Sequence, residues 1–291
     1  MSMPLTIGQR TPTACISRGN VVLFYTADSY LYKRLFPYGT DAWEDAVQIR
    51  LGSHPSVTDQ SGLLWLTWQE DVGAVSTIYY ATSADGGRNF SAPVTLTTAA
   101  DLPGVCTQED GYVGVAYREI VTNTVLYKTE RDNFVGTVTI AAPTETVSHV
   151  TMCNHLDRIF VGWIENESAK YKFSVDYGTI WSSEITLGTC TWLSLLSLPT
   201  DHLLAVTEYH HILQGQVSRD NGNTWDPPHT LWLPEAALNP HVMRDSYNDV
   251  IVFSSELSLE FNNHTYIVKL RSAPFFAVRG ETLDTSGTLN I

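Results

Sequence analysis

Three segments of the chain share one pattern. Residues 83–92 read SADGGRNFSA, 174–183 read SVDYGTIWSS and 218–226 read SRDNGNTWD, all fitting S-x-D-x-G-x-x-[FW]. Their starts lie 91 and 44 residues apart, one interval about twice the other. Recurrence at 40–50 residues marks a repeat architecture, in which each unit buries its apolar surface against the next. Six apolar runs, each opened by a turn residue, obey the same period: GNVVLFYT from Gly19, SGLLWLTW from Ser61, DGYVGVAY from Asp110, LDRIFVGW from Leu156, DHLLAVTE from Asp201 and NDVIVFSS from Asn248. They begin 42, 49, 46, 45 and 47 residues apart.

Each run has company. Upstream lies a shorter stretch such as TPTACI, HPSVTD or NPHVMR. Downstream comes an aromatic-rich strand such as YLYKRLF, STIYYAT or AKYKFSV, and most units close on a fourth run such as PVTLT or SEITLG. Four short strands per unit with Gly, Asn and Asp between them predict the blade of a β-propeller. The reading is therefore all-β: one six-bladed propeller domain over 1–291, four antiparallel strands per blade. The blades fall at about 10–52, 53–100, 101–146, 147–190, 191–236 and 237–282. MPLTI is expected to close the sixth blade as its outer strand, and the tail GETLDTSGTLNI to pack on the ring or on a neighbouring chain.

The repeated motif resembles the Asp box (BNR repeat), and six units carrying it are similar to the sialidase-type propeller. In that family the box sits on the turn between third and fourth strands. The resemblance assigns Ser83, Asp85 and Gly87, then Ser174, Asp176, Gly178 and Trp181, then Ser218, Asp220, Gly222 and Trp225, to structural turns. The chemistry agrees: Asp accepts backbone N–H bonds across a turn, Gly supplies positive φ, and the aromatic packs beneath. A calcium loop of EF type would need a Glu at its twelfth position, and counting from Asp220 that position is Leu231.

Because successive strands are antiparallel, first-strand starts and second-strand ends share the face opposite these turns. That face holds Arg10, Asp28, Glu70, Asp71, Arg118, Glu119, Glu165, Glu167, Glu208, Tyr209, His210, His211 and Glu256. Gln9-Arg10-Thr11-Pro12 is similar to the sialidase Phe/Tyr-Arg-Ile-Pro motif, which makes Arg10 a candidate clamp for a substrate carboxylate. Arg118 is a candidate second clamp, Asp28 or Asp71 a candidate acid/base, and Tyr209 with Glu208 a candidate nucleophile pair. The sequence departs from the family elsewhere: TCTWLSLL starts the fifth unit without an Arg, and ALNPHVMR starts the sixth without a Tyr. His54, His149 and His241 start first strands in alternate units and are expected to line the axis, bonding water or backbone rather than a metal. Trp65, Trp68, Trp163, Trp181 and Trp225 recur at blade positions and read as core, whereas Tyr38, Trp43, Tyr209 and Trp232 fall near loops.

With 17 Lys and Arg against 31 Asp and Glu, the net charge of −14 argues against nucleic acid or an anionic membrane as partner. No window approaches the ~18 apolar residues of a membrane span, and MSMPLTIGQR lacks the form of a secretory leader. Cys15, Cys106 and Cys153 fall at inner-strand positions and read as buried packers, not a disulfide framework, which suits synthesis in the cytoplasm. The leading expectation is a non-catalytic interaction module, binding a receptor or cell-surface glycan within an oligomeric assembly such as a phage tail or fibre, with no cofactor and no metal. The binding residues would be Arg10, Arg118, Tyr209, His210 and His211. The alternative is a sialidase-like glycoside hydrolase.

Overall fold

A computed structural model describes residues 11–40, 43–73, 75–198, 201–231, 237–244, 250–256, 265–270 and 278–280. They form an all-β propeller of six four-stranded antiparallel sheets, each running from its inner to its outer strand in chain order. The first comprises β1 (Thr13–Ser17), β2 (Asn20–Ala27), β3 (Tyr30–Phe36) and β4 (Val47–Leu51). The second comprises β5 (Ser53–Gln60), β6 (Leu63–Val72), β7 (Val75–Ser83) and β8 (Val94–Thr98), and the third β9 (Ala100–Thr107), β10 (Val113–Glu119), β11 (Thr124–Thr129) and β12 (Val138–Ala141). The fourth holds β13 (Val147–His155), β14 (Arg158–Glu165), β15 (Ser168–Ser174) and β16 (Ile185–Thr189). The fifth holds β17 (Trp192–Ser197), β18 (Leu203–Tyr209), β19 (Ile212–Ser218) and β20 (His229–Leu231), and the sixth β21 (Ala237–Arg244), β22 (Val250–Glu256), β23 (Thr265–Leu270) and β24 (Val278–Gly280). The outer position expected for MPLTI belongs to β24; residues 1–10, and the tail after Gly280, lie outside the described residues. No helix among the described residues is long and apolar enough to cross a membrane.

The second strands explain the ring. In β2, Val22 and Phe24 pack toward the second sheet while Leu23 and Tyr25 pack toward the sixth. In β6, Leu64, Leu66 and Trp68 face the first sheet while Trp65 faces the third. Both faces are buried, so the strands read as continuous apolar runs rather than alternating ones. One core lies between each neighbouring pair of sheets, and the inner strands touch in sequence, with β21 returning to β1.

The S-x-D-x-G turns lie between third and fourth strands and rivet each of those sheets to the one before it. Ser83 Oγ accepts from Gly87 N (3.0 Å) and donates to Asp85 Oδ1 (2.7 Å), while Asp85 accepts from Asn89 N (2.9 Å). Ser174, Asp176, Gly178 and Ile180 repeat the arrangement, as do Ser218, Asp220, Gly222 and Thr224. Trp181 Nε1 donates to Gly178 O, and Trp225 Nε1 to Tyr171 Oη. Gly87, Gly178 and Gly222 sit at φ +88°, +91° and +81°, where each backbone abuts a side chain of the preceding sheet: Val22, Tyr127 and Phe160 respectively. A Cβ at Gly178 would enter the Tyr127 ring. Gly178→Ala therefore combines left-handed strain with a steric clash and is expected to cost about 2–4 kcal/mol. Gly39→Ala, at φ +78° with nothing within 4 Å of its Cβ, should cost only about 1 kcal/mol. Urea unfolding of the two variants measures the difference.

Candidate functional site

The face opposite these turns is built from tight hairpins. Asp28–Ser29, Asn166–Glu167 and His210–His211 each place two successive residues at positive φ, between 48° and 66°. That is the signature of two-residue hairpin turns, whose twist matches that of the strands. The charged side chains around this face engage one another instead of converging. Arg118 lies directly opposite Asp101 in the β9–β10 register and grips it with two donors, Nε to Oδ1 at 2.8 Å and Nη2 to Oδ2. Its remaining arm, Nη1, donates to Val147 O of the fourth sheet at 2.5 Å. A guanidinium held bidentately by one carboxylate is not presented to another.

The acids are similarly committed. Glu208 is buried; it accepts from Thr191 Oγ1 (2.7 Å) and from His211 N (2.9 Å), fastening the hairpin turn to the inner strand. Tyr209 packs instead against the core between the fourth and fifth sheets, with its ring 4.0 Å from that of His210. Glu165 accepts from Thr144 N (2.9 Å), Glu145 N (3.0 Å) and Lys170 Nζ (2.7 Å). Burial would raise its pKa, but these donors outweigh burial and hold the carboxyl below its ordinary value. Glu70 accepts from Trp68 Nε1 (3.0 Å) and pairs with Arg50 (2.5 Å). Asp71 accepts from Ser76 Oγ and Gln69 Nε2, and Glu119 from Thr122 Oγ1. Asp28 and Glu167 are turn residues in different sheets, and Glu256 ends β22. Tyr38 is exposed, and Trp43 packs at a tilt against Phe36, with ring centres 5.5 Å apart. Arg10 and Trp232 lie outside the described residues.

The inner strands enclose an axial cavity of about 270 Å³. Register shifts at Ser53–Ser56 and Leu238–His241 leave Pro55 and Pro240 unpaired within the inner strands, where the missing N–H breaks no ladder bond. His54 and His241 line the cavity together with His149, on alternate sheets. His149 Nε2 bonds Leu193 O (2.8 Å) and its ring stacks on Trp192 at 3.7 Å; His241 Nε2 bonds Ala14 O (2.9 Å). Each thus ties its own inner strand to the next one round the ring. Burial outweighs these bonds and pushes His149 down to about 3 and His241 down to about 4. His54 is lowered too, chiefly by burial. Among the described residues no three His, Cys, Asp or Glu side chains are grouped to hold a metal. Cys15, Cys106 and Cys153 line the same cavity as free thiols, their pKa values raised by burial.

A second cavity, of about 360 Å³, opens on the rim between the first and second sheets, beside Lys33, Arg50, Arg88, Trp68 and Phe90. Lys33, Arg50 and Arg88 did not stand among the sequence candidates, whereas Phe90 read as the aromatic of the first Ser-x-Asp-x-Gly motif and Trp68 as core. The available signal was three cations on neighbouring repeats in a chain with only 17 Lys and Arg.

No protein-family model and no curated protein sequence matches the chain. Solved structures share its fold. A Hadza microbial sialidase aligns at 14% identity with a TM-score of 0.64, covering 84% of this chain and 62% of its own, so the chain spans less than two thirds of that enzyme. An α-L-arabinofuranosidase from Fusarium graminearum, solved as a mutant with an iminosugar inhibitor, aligns at 10% identity and TM-score 0.73, covering 90% and 92%. Aleuria aurantia lectin, solved with α-methyl-L-fucoside, aligns at 8% identity and TM-score 0.67, covering 96% of both chains. At these identities the likeness is one of fold.

The buried imidazoles make a pH prediction. Their folded pKa values are depressed, so the folded state keeps them neutral while the unfolded chain takes up protons below about 6.5. Stability is then full above that pH and falls as pH drops toward 4, and Tm should fall by about 5–10 °C between pH 7 and pH 4. The turn carboxylates act later. Asp220, held down to about 2 by Thr224 and its neighbours, loses its contribution only as pH falls from about 4 to 2. Calorimetry of His149→Gln/His241→Gln should show the first slope flattened and the second unchanged.

Proposed function

We propose that the chain is a non-catalytic carbohydrate-binding propeller, serving as an interaction module of a larger assembly. The observation that carries this reading is the commitment of Arg118 to Asp101. A sialidase-like clamp would need that guanidinium free, and a hydrolase would need an acid and a nucleophile converging on one pocket. Glu208 and Tyr209 instead turn to different partners, and Asp28 and Asp71 belong to separate sheets. The Ser-Asp-Gly turns support descent of the scaffold from an Asp-box, sialidase-type ring. Similar rings include a lectin solved with a fucoside and two glycosidases, which favours sugar as the ligand class. A place in a phage tail or fibre, suggested by the sequence, draws no support from these neighbours.

The second reading is a sialidase-like hydrolase, in which Arg10 joins an Arg118 released from Asp101. A glycan array combined with a fluorogenic panel of sialosides and arabinofuranosides separates the two. Retention of a subset of glycans without fluorophore release is expected. Turnover that Arg10→Ala abolishes would overturn the non-catalytic reading, and an array that retains nothing would overturn carbohydrate binding.

A further inference from the structure

At the rim, β4 of the first sheet faces the turn between β7 and β8 of the second, leaving the groove of about 360 Å³ between them. That volume falls in the usual range of small-ligand sites, ~300–1,000 Å³. Trp68 and Phe90 form its apolar part, and Lys33, Arg50 and Arg88 its charged walls. Among the described residues no Asp or Glu lines it, on a chain whose net charge is −14.

The three cations are held in different ways. Lys33 is buried; its Nζ donates to Gly87 O at 2.7 Å and to Arg88 O, and stands 5.6 Å from the Phe90 ring centre. Burial lowers its pKa, although Asp85 and Glu44 act to raise it. The Arg50 guanidinium lies 5.0 Å from the Trp68 ring centre and 5.6 Å from that of Tyr79, two rings that stack on each other. Its contact with Glu70, at 2.5 Å, is made through Nε. Arg88 is half-exposed at the mouth and pairs with Glu44 at 3.3 Å. Glu70 and Glu44 thus fix the two guanidiniums from outside the groove, and what the groove offers inward is a set of N–H donors beside aromatic carbon.

We propose that this rim groove binds the carboxylate of an acidic sugar, of which a free uronic acid is the simplest case. The terminal nitrogens of Arg50, with the Lys33 ammonium behind them, meet the carboxylate, and the C–H face of the ring lies against Phe90. A planar, preorganised guanidinium suits a carboxylate, whereas a neutral hexose leaves the donors without an anionic partner. This assignment rests on the carbohydrate-binding reading and gives it a location and a ligand class.

Isothermal titration of the full chain with glucuronate and with glucose tests it, alongside Arg50→Gln and Arg88→Gln, each first checked for an unchanged Tm. Glucuronate should bind at least about tenfold tighter than glucose, and Arg50→Gln should remove about that factor. Arg88→Gln, at the exposed mouth, should cost only about two- to threefold. Equal binding of the two sugars, or a folded Arg50→Gln with unchanged glucuronate affinity, would overturn the groove assignment. If the array still retains glycans in that case, the carbohydrate-binding reading survives; if it retains none, that reading has failed on its own.

Discussion

A sheet with two apolar faces is stable only between two others, and every sheet of this ring has two. Val22 and Leu23 are neighbours in β2 yet serve different cores, and Leu64 and Trp65 do the same in β6. At roughly 25 cal/mol per Å² of apolar surface removed from water, such faces cannot be left exposed. The demand propagates from sheet to sheet until β21 meets β1. The Ser-Asp-Gly turns fasten what the apolar faces bring together, because the backbone of Gly87, Gly178 or Gly222 reaches the preceding sheet only where no Cβ intervenes.

That dependence explains what could be read from the chain. Apolar runs of period near 45 residues, with turn residues between them, state the second strands and their double burial, and the aromatic-rich segment that follows the first run is β3, YLYKRLF, residue for residue. The Ser-x-Asp-x-Gly turns were legible for a local reason, since Ser83, Asp85 and Gly87 bond within five residues. The outer strand of the sixth sheet was not: β24 takes a place for which MPLTI also had the right pattern. Local composition does not rank two segments that compete for one open edge.

Site residues were legible as positions but not as partners. Arg118 at a strand end has the chemistry of a clamp. Its pairing with Asp101 follows from the β9–β10 register, and its bond to Val147 O from the packing of two sheets. Glu165 likewise finds two of its donors in the segment preceding β13. The histidines fared better: alternate spacing put His54, His149 and His241 on the axis, and two of them bond backbone carbonyls there. Lys33, Arg50 and Arg88 were missed because the groove they share exists only once β4 and the β7–β8 turn stand side by side.

On the carbohydrate-binding reading proposed above, the ligand meets the rim groove rather than the axial face. A crystal structure of the protein soaked with an acidic saccharide tests this most directly. The expected result is sugar density beside Arg50 and Phe90, with the Arg118–Asp101 pair intact. Density at the axial face, with Arg118 withdrawn from Asp101 to hold the carboxylate, would contradict it.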